Sequence, residues 1–304
     1  MSELDALVEQ IPPYIIDRIN HAISFGLNKC GVFFRLFGRC KSPISIEKKI
    51  EVKGYSNEEN YKMQDILGLR IVLYFKDDIP MCEQLISSNF NVINISRDDL
   101  SDDIFRPIRL NYVCSIPEDC IMLFPETLWS YPIDKTMEIQ VRTIFSEGWH
   151  EIEHDLRYKC KSDWDDESDL SRNLNGIFAT LETCDNSILS TFNELAYRKY
   201  KSKQWESMLR SKFRLRFLSN PMSDDVISLL NENNELAKSI FRVDRDQLIL
   251  FLADSSIINI PISYNNIIFC INQLFIKNEQ LQRMNPEKIT EQVDKYILKN
   301  ETAL

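Results

Sequence analysis

Through the first 28 residues apolar positions recur at helical spacing, with Leu4, Leu7, Val8, Ile11, Ile15, Ile19 and Ile23 on one face. Pro12 and Pro13 interrupt that helix or mark a second start. Residues 32–36 read as a strand. Ser42-Pro43 then opens a basic helix whose body is 44–53, since proline suits a first helical turn. The most apolar run, DILGLRIVLYF (65–75), reads as a buried central strand with Asp65 and Arg70 as its polar exceptions. A helix over 79–87 and strands over 91–95, 110–116 and 136–143 come next. The last of these, MEIQVRT, alternates strictly: Met137, Ile139 and Val141 fall on one face, Glu138, Gln140 and Arg142 on the other. From Ser146 the period lengthens, and Trp149, Ile152, Glu153, Leu156 and Lys159 recur at steps of three and four.

The elements to about residue 160 therefore make a mixed α/β domain. After an acidic stretch, DWDDESD (163–169), the pattern is helical throughout. Gly176 is the last glycine, and only Pro221, Pro261 and Pro286 interrupt the rest of the chain. Helices are expected over 171–208, over 224–241, within 244–253, from Tyr264 and over 286–300, with a possible boundary near 210–222.

Composition narrows the class. The 304 residues are 44% apolar and 27% charged, as in globular domains, and no apolar run is long enough to span a bilayer. The eight cysteines show no C-x-x-C pair and the N-terminus no secretory pattern, so a cytoplasmic protein with reduced thiols is expected. Three histidines make zinc chemistry a poor fit. The net charge of −10 argues against non-specific nucleic-acid binding by the whole chain.

Three polar clusters remain. Arg39, Lys41, Ser45 and Lys49 are spaced R-x-K-x(3)-S-x(3)-K, a set able to grip a polyphosphate but equally at home on a solvated helix. Asp65 with Arg70 is weak alone. Glu138, Gln140 and Arg142 alone most often mark the solvent face of an edge strand. Together they supply two carboxylates for Mg²⁺, a phosphate clamp and a carboxylate base, with no Gly-rich phosphate loop and no Ser-His-Asp set in competition.

In this order and spacing, GRCKSPISIEKKI, DILGLRIVLYF and EIQVRT-x(5)-W-x(3)-EH-x(3)-YK resemble the synthetase domain of the RelA/SpoT family, over roughly residues 10–200. The resemblance implies a nucleotidyltransferase-like mixed β-sheet of about five strands flanked by helices, spanning 1–200, with 201–304 as an all-α C-terminal extension. It implies a cytoplasmic pyrophosphokinase moving the β,γ-pyrophosphate of ATP to the 3′-hydroxyl of GDP or GTP. Asp65 and Glu138 would bind Mg²⁺, and Glu138 would take the acceptor proton. Arg39 and Arg70 would sandwich the adenine, and Lys41, Ser45 and Lys49 would hold the ATP phosphates. Gln140 and Arg142 would line the acceptor side, and His154 with Tyr158-Lys159 would back the site. A homo-oligomer is possible, and no membrane association is expected.

The acceptor loop departs from the family's K-x-x-G-Y-x-S-x-H pattern. Here Arg106-Pro107 stand where Gly-Tyr is expected, Arg109 replaces the serine and Asn111 the histidine. Arg106 and Arg109 would bind an acceptor phosphate or stack on a base. Glu147, nine residues after Glu138, would accept from a guanine edge, or is a solvent-facing first-turn glutamate. RKYKSKQWESMLRSKFRLR (198–216) holds eight basic residues against one acid. It reads as a tRNA-tracking surface, an internal docking face or a solvated helix. Two alternatives to alarmone synthesis stay open: a toxin that pyrophosphorylates the tRNA 3′ end, and a degenerate nucleotide-binding module.

Overall fold

The computed structural model describes residues 3–58, 61–97 and 110–301. Two compact units emerge. The first comprises Met1–Phe25, Phe34–Tyr74 and Ile86–Thr183; the second Gly26–Phe33, Phe75–Leu85 and Cys184–Leu304. In chain order the elements begin with α1 (Glu3–Glu9), α2 (Tyr14–Lys29), β1 (Phe34–Cys40), α3 (Pro43–Lys53), β2 (Leu67–Leu73) and α4 (Ile79–Asn89). Next come β3 (Val92–Arg97), β4 (Leu110–Ser115), the short α5 (Glu118–Ile121), β5 (Thr136–Thr143), α6 (Ile144–Glu153), α7 (Ser168–Lys201) and α8 (Trp205–Phe213). The chain closes with α9 (Asp224–Glu232), α10 (Asn234–Arg242), α11 (Arg245–Ala253), α12 (Tyr264–Ile271), α13 (Glu279–Met284) and α14 (Glu287–Glu301). This is the expected mixed sheet followed by helices.

The sheet order is β1-β2-β5-β4-β3, with β2 and β5 parallel and the other pairs antiparallel. β5 is thus an interior strand, not the edge strand that its polar face suggested. Its apolar residues explain the position. Met137, Ile139 and Val141 pair in register with Leu67, Leu69 and Ile71 on one side, and with Cys114, Tyr112 and Leu110 on the other. All nine are at most 3% exposed, so one sheet face is continuous core, and burying each large side chain contributes roughly 1.5–3 kcal/mol. Helix α2 packs close to β1 at Gly38, where an added Cβ would meet Ile16 Cγ2 at 2.7 Å; only glycine admits the helix there.

Local chemistry sets the element ends that matter for the site. Pro43 occupies the first turn of α3, after extended Ser42, and Gly54 ends it at φ 66° with its N–H on Ile50 O. β5 passes directly into α6 through a capping box. Ser146 N donates to Thr143 Oγ1 at 3.2 Å, and Thr143 N donates to Ser146 Oγ at 2.9 Å. Such caps contribute about 0.5–2 kcal/mol, and this one places Glu147 in the first turn of α6. The helix then widens into a π turn over His154–Tyr158.

Three expectations shift. The first strand runs Phe34–Cys40 rather than 32–36, because Gly31 turns the chain at φ 71° after α2, and Arg39 therefore lies on the strand. The helix expected over 171–208 breaks at Lys203, which adopts φ 54°, and α8 restarts at Trp205. The helix expected over 224–241 divides at Asn233, whose side chain accepts from Leu236 N to cap α10.

In the helical unit Met208, Phe213, Leu230, Ile240, Leu248, Phe251, Ile267 and Val293 form the core. A buried charge cluster sits within it. Arg245 Nη2 meets Asp78 Oδ1 at 2.5 Å and Arg245 Nη1 meets Asp77 Oδ2 at 3.4 Å; Arg214 also pairs with Asp77. No described helix is long and apolar enough to cross a membrane.

Candidate functional site

Strand register assembles the site. On the face opposite the core, Arg39, Gly68, Glu138 and Val113 form one cross-strand row. Phe37, Arg70, Gln140 and Asn111 form the next, and Arg35, Val72 and Arg142 the third. The three sequence clusters thus meet on one surface. A Cβ added at Gly68 would meet nothing within 4 Å, so the floor between Arg39 and Glu138 is bare.

Asp65 stands just ahead of β2. Lys41 N donates to Ile66 O at 2.8 Å, and Thr136 Oγ1 donates to Gln64 O at 2.9 Å, fixing this segment between β1 and β5. Asp65 Oδ2 accepts from Lys41 Nζ at 2.9 Å and from Lys49 Nζ at 2.6 Å. Its Oδ1 is buried without a hydrogen-bond partner. Burial pushes the Asp65 carboxyl up, but the two ammonium groups outweigh it and hold the carboxyl below its ordinary range. Ser45, on the exposed side of α3, shares a hydrogen bond of 2.8 Å with Ser42. Tyr55, in contact with the Tyr61 ring at 4.7 Å, lies within electrostatic range of Lys49, Asp65 and Glu138. Burial first, then Tyr61 and the two carboxylates, raise its phenol against Lys49, so it stays protonated at neutral pH.

Glu138 is held by neutral donors. Asn111 Nδ2 reaches its Oε1 at 3.1 Å and Gln140 Nε2 its Oε2 at 2.8 Å. The Gln140 amide is itself oriented, because its Oε1 accepts from Arg70 Nε at 3.2 Å and Arg142 Nη2 at 3.0 Å. Arg142 is 5% exposed, with Glu147 Oε2 at 3.6 Å from its Nη1. Arg70 Nη1 donates to Glu147 Oε1 at 2.6 Å and also to Glu151. Burial acts against the Arg70 charge; Glu147 and Glu151 more than restore it, so its pKa lies above the usual arginine value.

Residues 38–163 match the family model described as the region found in RelA / SpoT proteins. This segment is similar to that family, and the match covers less than half of the chain. Over 124 residues the chain is 32% identical to the GTP pyrophosphokinase YjbM of Bacillus subtilis strain 168, covering 40% of this chain and 55% of that protein. The chain therefore spans about half the length of the curated relative it matches. Among solved structures, a GTP pyrophosphokinase family protein from Streptococcus pneumoniae aligns at 21% identity and TM-score 0.47, over 68% of this chain and 96% of its own. The small alarmone synthetase 1 of Bacillus subtilis aligns at 22% identity and TM-score 0.45, over 62% and 94%.

Within the matched segment, Lys41 and Lys49 bond to Asp65, while Arg70, Asn111, Glu138, Gln140, Arg142 and Glu147 form a second bonded set, and Arg39 lies in register with Glu138 across Gly68. His154 meets a different set: its ring stacks between His150 and Tyr158 at 5.6 and 5.9 Å, and its Nδ1 lies 2.9 Å from Asp155. Lys159 also turns to Asp155, at 2.6 Å. Arg106 and Arg109 lie outside the described residues. Sequence reasoning passed over Gly68, Tyr55 and Glu151. Glu151 had a signal, since it stands four residues after Glu147 on the same helical face. Gly68 had none, because an open floor belongs to four strands together.

The basic stretch 198–216 is largely engaged inside the helical unit. Arg198 pairs with Glu194, Lys203 donates to Asn231 O, and Arg210 meets Tyr264 and Glu206. Lys212 lies over the Phe241 ring, Arg214 pairs with Asp77, and Arg216 lies over Phe33.

Proposed function

We propose that this chain is a nucleotide pyrophosphokinase that transfers the β,γ-pyrophosphate of ATP to the 3′-hydroxyl of GDP or GTP, giving (p)ppGpp. The observation that carries the reading is the pair of carboxylates within electrostatic range of Tyr55, a lysine-clamped Asp65 and a donor-held Glu138, with the bare floor at Gly68 in register with Glu138. The 32% identity to a relative named GTP pyrophosphokinase supports the same reaction.

In this reading the guanidinium planes of Arg39 and Arg70 stack on adenine, and Lys41, Ser45 and Lys49 hold the phosphates. The acceptor 3′-oxygen attacks the β-phosphorus, the bond from that phosphorus to the α–β bridging oxygen breaks, and AMP leaves with the electron pair. Glu138 takes the hydroxyl proton. Asn111 and Gln140 supply only neutral hydrogen bonds, so they aim the carboxylate without adding charge. Asp65 and Glu138 fit a Mg²⁺ ion: one Asp65 oxygen is buried and unpartnered, and magnesium commonly takes one or two carboxylates and completes its shell with phosphates and water. When bound, it neutralises phosphate charge. Positioning and charge neutralisation are the remaining terms.

The test is transfer of label from γ-labelled ATP, with Mg²⁺, to GDP, GTP, AMP, ADP or bulk tRNA offered separately. Labelled GDP or GTP, lost in Glu138→Gln, is the expected result. Label on tRNA alone would replace the acceptor, and no transfer to any of them would remove the pyrophosphokinase reading.

A further inference from the structure

Glu147 and Glu151 lie four residues apart on α6 and converge on one nitrogen, Nη1 of Arg70. Two like charges at this spacing repel and weaken a helix by themselves. Their arrangement is favourable only with a cation between them, and Arg70 arrives there from β2, 77 residues earlier than Glu147. The third in-plane contact is Arg70 Nε to Gln140 Oε1. Nη1 is thus held by two carboxylates and Nε by one amide, in-plane contacts that fix the guanidinium's orientation and keep its flat faces open for stacking. The first carboxylate is itself well placed, in the first turn of α6 behind the Thr143–Ser146 capping box, where negative charge is favoured. Glu147 is also the more enclosed of the two, with 16% of its side chain exposed against 53% for Glu151.

We propose that Glu147 and Glu151 form a carboxylate fork that sets the plane of Arg70 and so positions the ATP-stacking surface. Glu147 is then a positioning residue of the donor side, and the acceptor base is not its partner. The inference rests on the pyrophosphokinase reading, because that reading makes Arg70 a donor-side residue. It goes further in tying donor affinity to two helix residues that touch neither phosphate nor metal. It also accounts for Glu151, to which sequence reasoning gave no role.

The experiment measures binding of α,β-methylene-ATP and, separately, of GDP, both with Mg²⁺, to the full chain by calorimetry. Wild type, Glu147→Gln, Glu151→Gln, Arg70→Ala and Arg70→Ala/Glu147→Gln are compared. Each single glutamine variant should weaken the ATP analogue on the order of tenfold, with GDP affinity unchanged. In the Arg70→Ala background, Glu147→Gln should add no further loss. Glu151 is half exposed, so its variant keeps the test usable even if Glu147→Gln folds poorly. Weakened GDP binding with unchanged ATP-analogue binding would assign Glu147 to the acceptor and overturn the fork. So would unchanged binding of both ligands, or a full additional loss in the double variant. If the wild type binds no ATP analogue at all, the pyrophosphokinase reading itself falls, an outcome distinct from failure of the fork alone.

Discussion

Gln140 Nε2 donates to Glu138 Oε2 at 2.8 Å, two residues along the same face of β5, while the other end of the same amide receives Arg70 and Arg142. A glutamine amide has one acceptor and one donor end. With two guanidiniums on the oxygen, only the NH₂ end is left to face Glu138. The orientation of the carboxylate is thereby coupled to the two arginines.

Gln140→Ala removes that coupling. Turnover in the pyrophosphate-transfer assay is expected to fall about 10–100-fold, the usual cost of losing an outer partner of a reacting group. Stability should fall by only about 1–3 kcal/mol, because Gln140 is not part of the apolar core. Unchanged turnover at saturating ATP and acceptor would disprove the orienting role.

Gly68→Val tests the bare floor. Valine suits a strand, and an added Cβ meets no atom within 4 Å, so the melting temperature should stay within a few degrees of wild type. ATP-analogue affinity should nevertheless drop by on the order of tenfold or more, because the branched side chain stands between Arg39 and Glu138. Calorimetric titration beside a thermal melt gives both readings. Wild-type affinity in the folded variant would mean that the nucleotide lies elsewhere.

Asp65 gives a pH dependence with a definite sign. Its folded-state pKa lies below the ordinary 3.8, so its charged form contributes stability that is present above pH 3.8 and lost as pH falls through the lower, folded-state value. Asp65→Asn lacks this contribution and leaves Lys41 and Lys49 without their shared anion. The melting-temperature gap between wild type and variant should be widest near neutrality and narrow below about pH 4. A gap that stays constant from about pH 7 to about pH 3 would show that the lysine pair does not hold the charged carboxylate.

In the helical unit, Arg245 is 5% exposed and Asp78 fully buried. Asp78→Ala should cost about 3–5 kcal/mol in urea unfolding of the full chain, since it removes the shorter ion pair of the buried Arg245 and leaves only the 3.4 Å contact to Asp77, which Arg214 already shares. Asp78→Ala combined with Arg245→Met should cost less than the single change, because no unpaired charge remains. A double variant less stable than Asp78→Ala would show that the cluster is a net source of stability.

Much of this protein was legible from local pattern. Strict alternation in 137–143 determined which β5 residues face the core, Ser42-Pro43 determined where α3 starts, and glycine-free periodicity determined that the chain ends in helices. These are short-range consequences of side-chain geometry and backbone hydrogen bonding. Tertiary structure decided the rest. Whether β5 lay at an edge or inside depended on Leu67–Leu73 and Leu110–Ser115 pairing with it from both sides. The partner of Glu147 was set by strand register bringing Arg70 under α6, and the helix breaks at Lys203 and Asn233 by a left-handed residue and a cap within a continuous helical period. Charged side chains have no sequence-local preference for a distant counter-ion. Only the folded sheet, which costs conformational entropy to close and is stabilised by its apolar face, chooses among them.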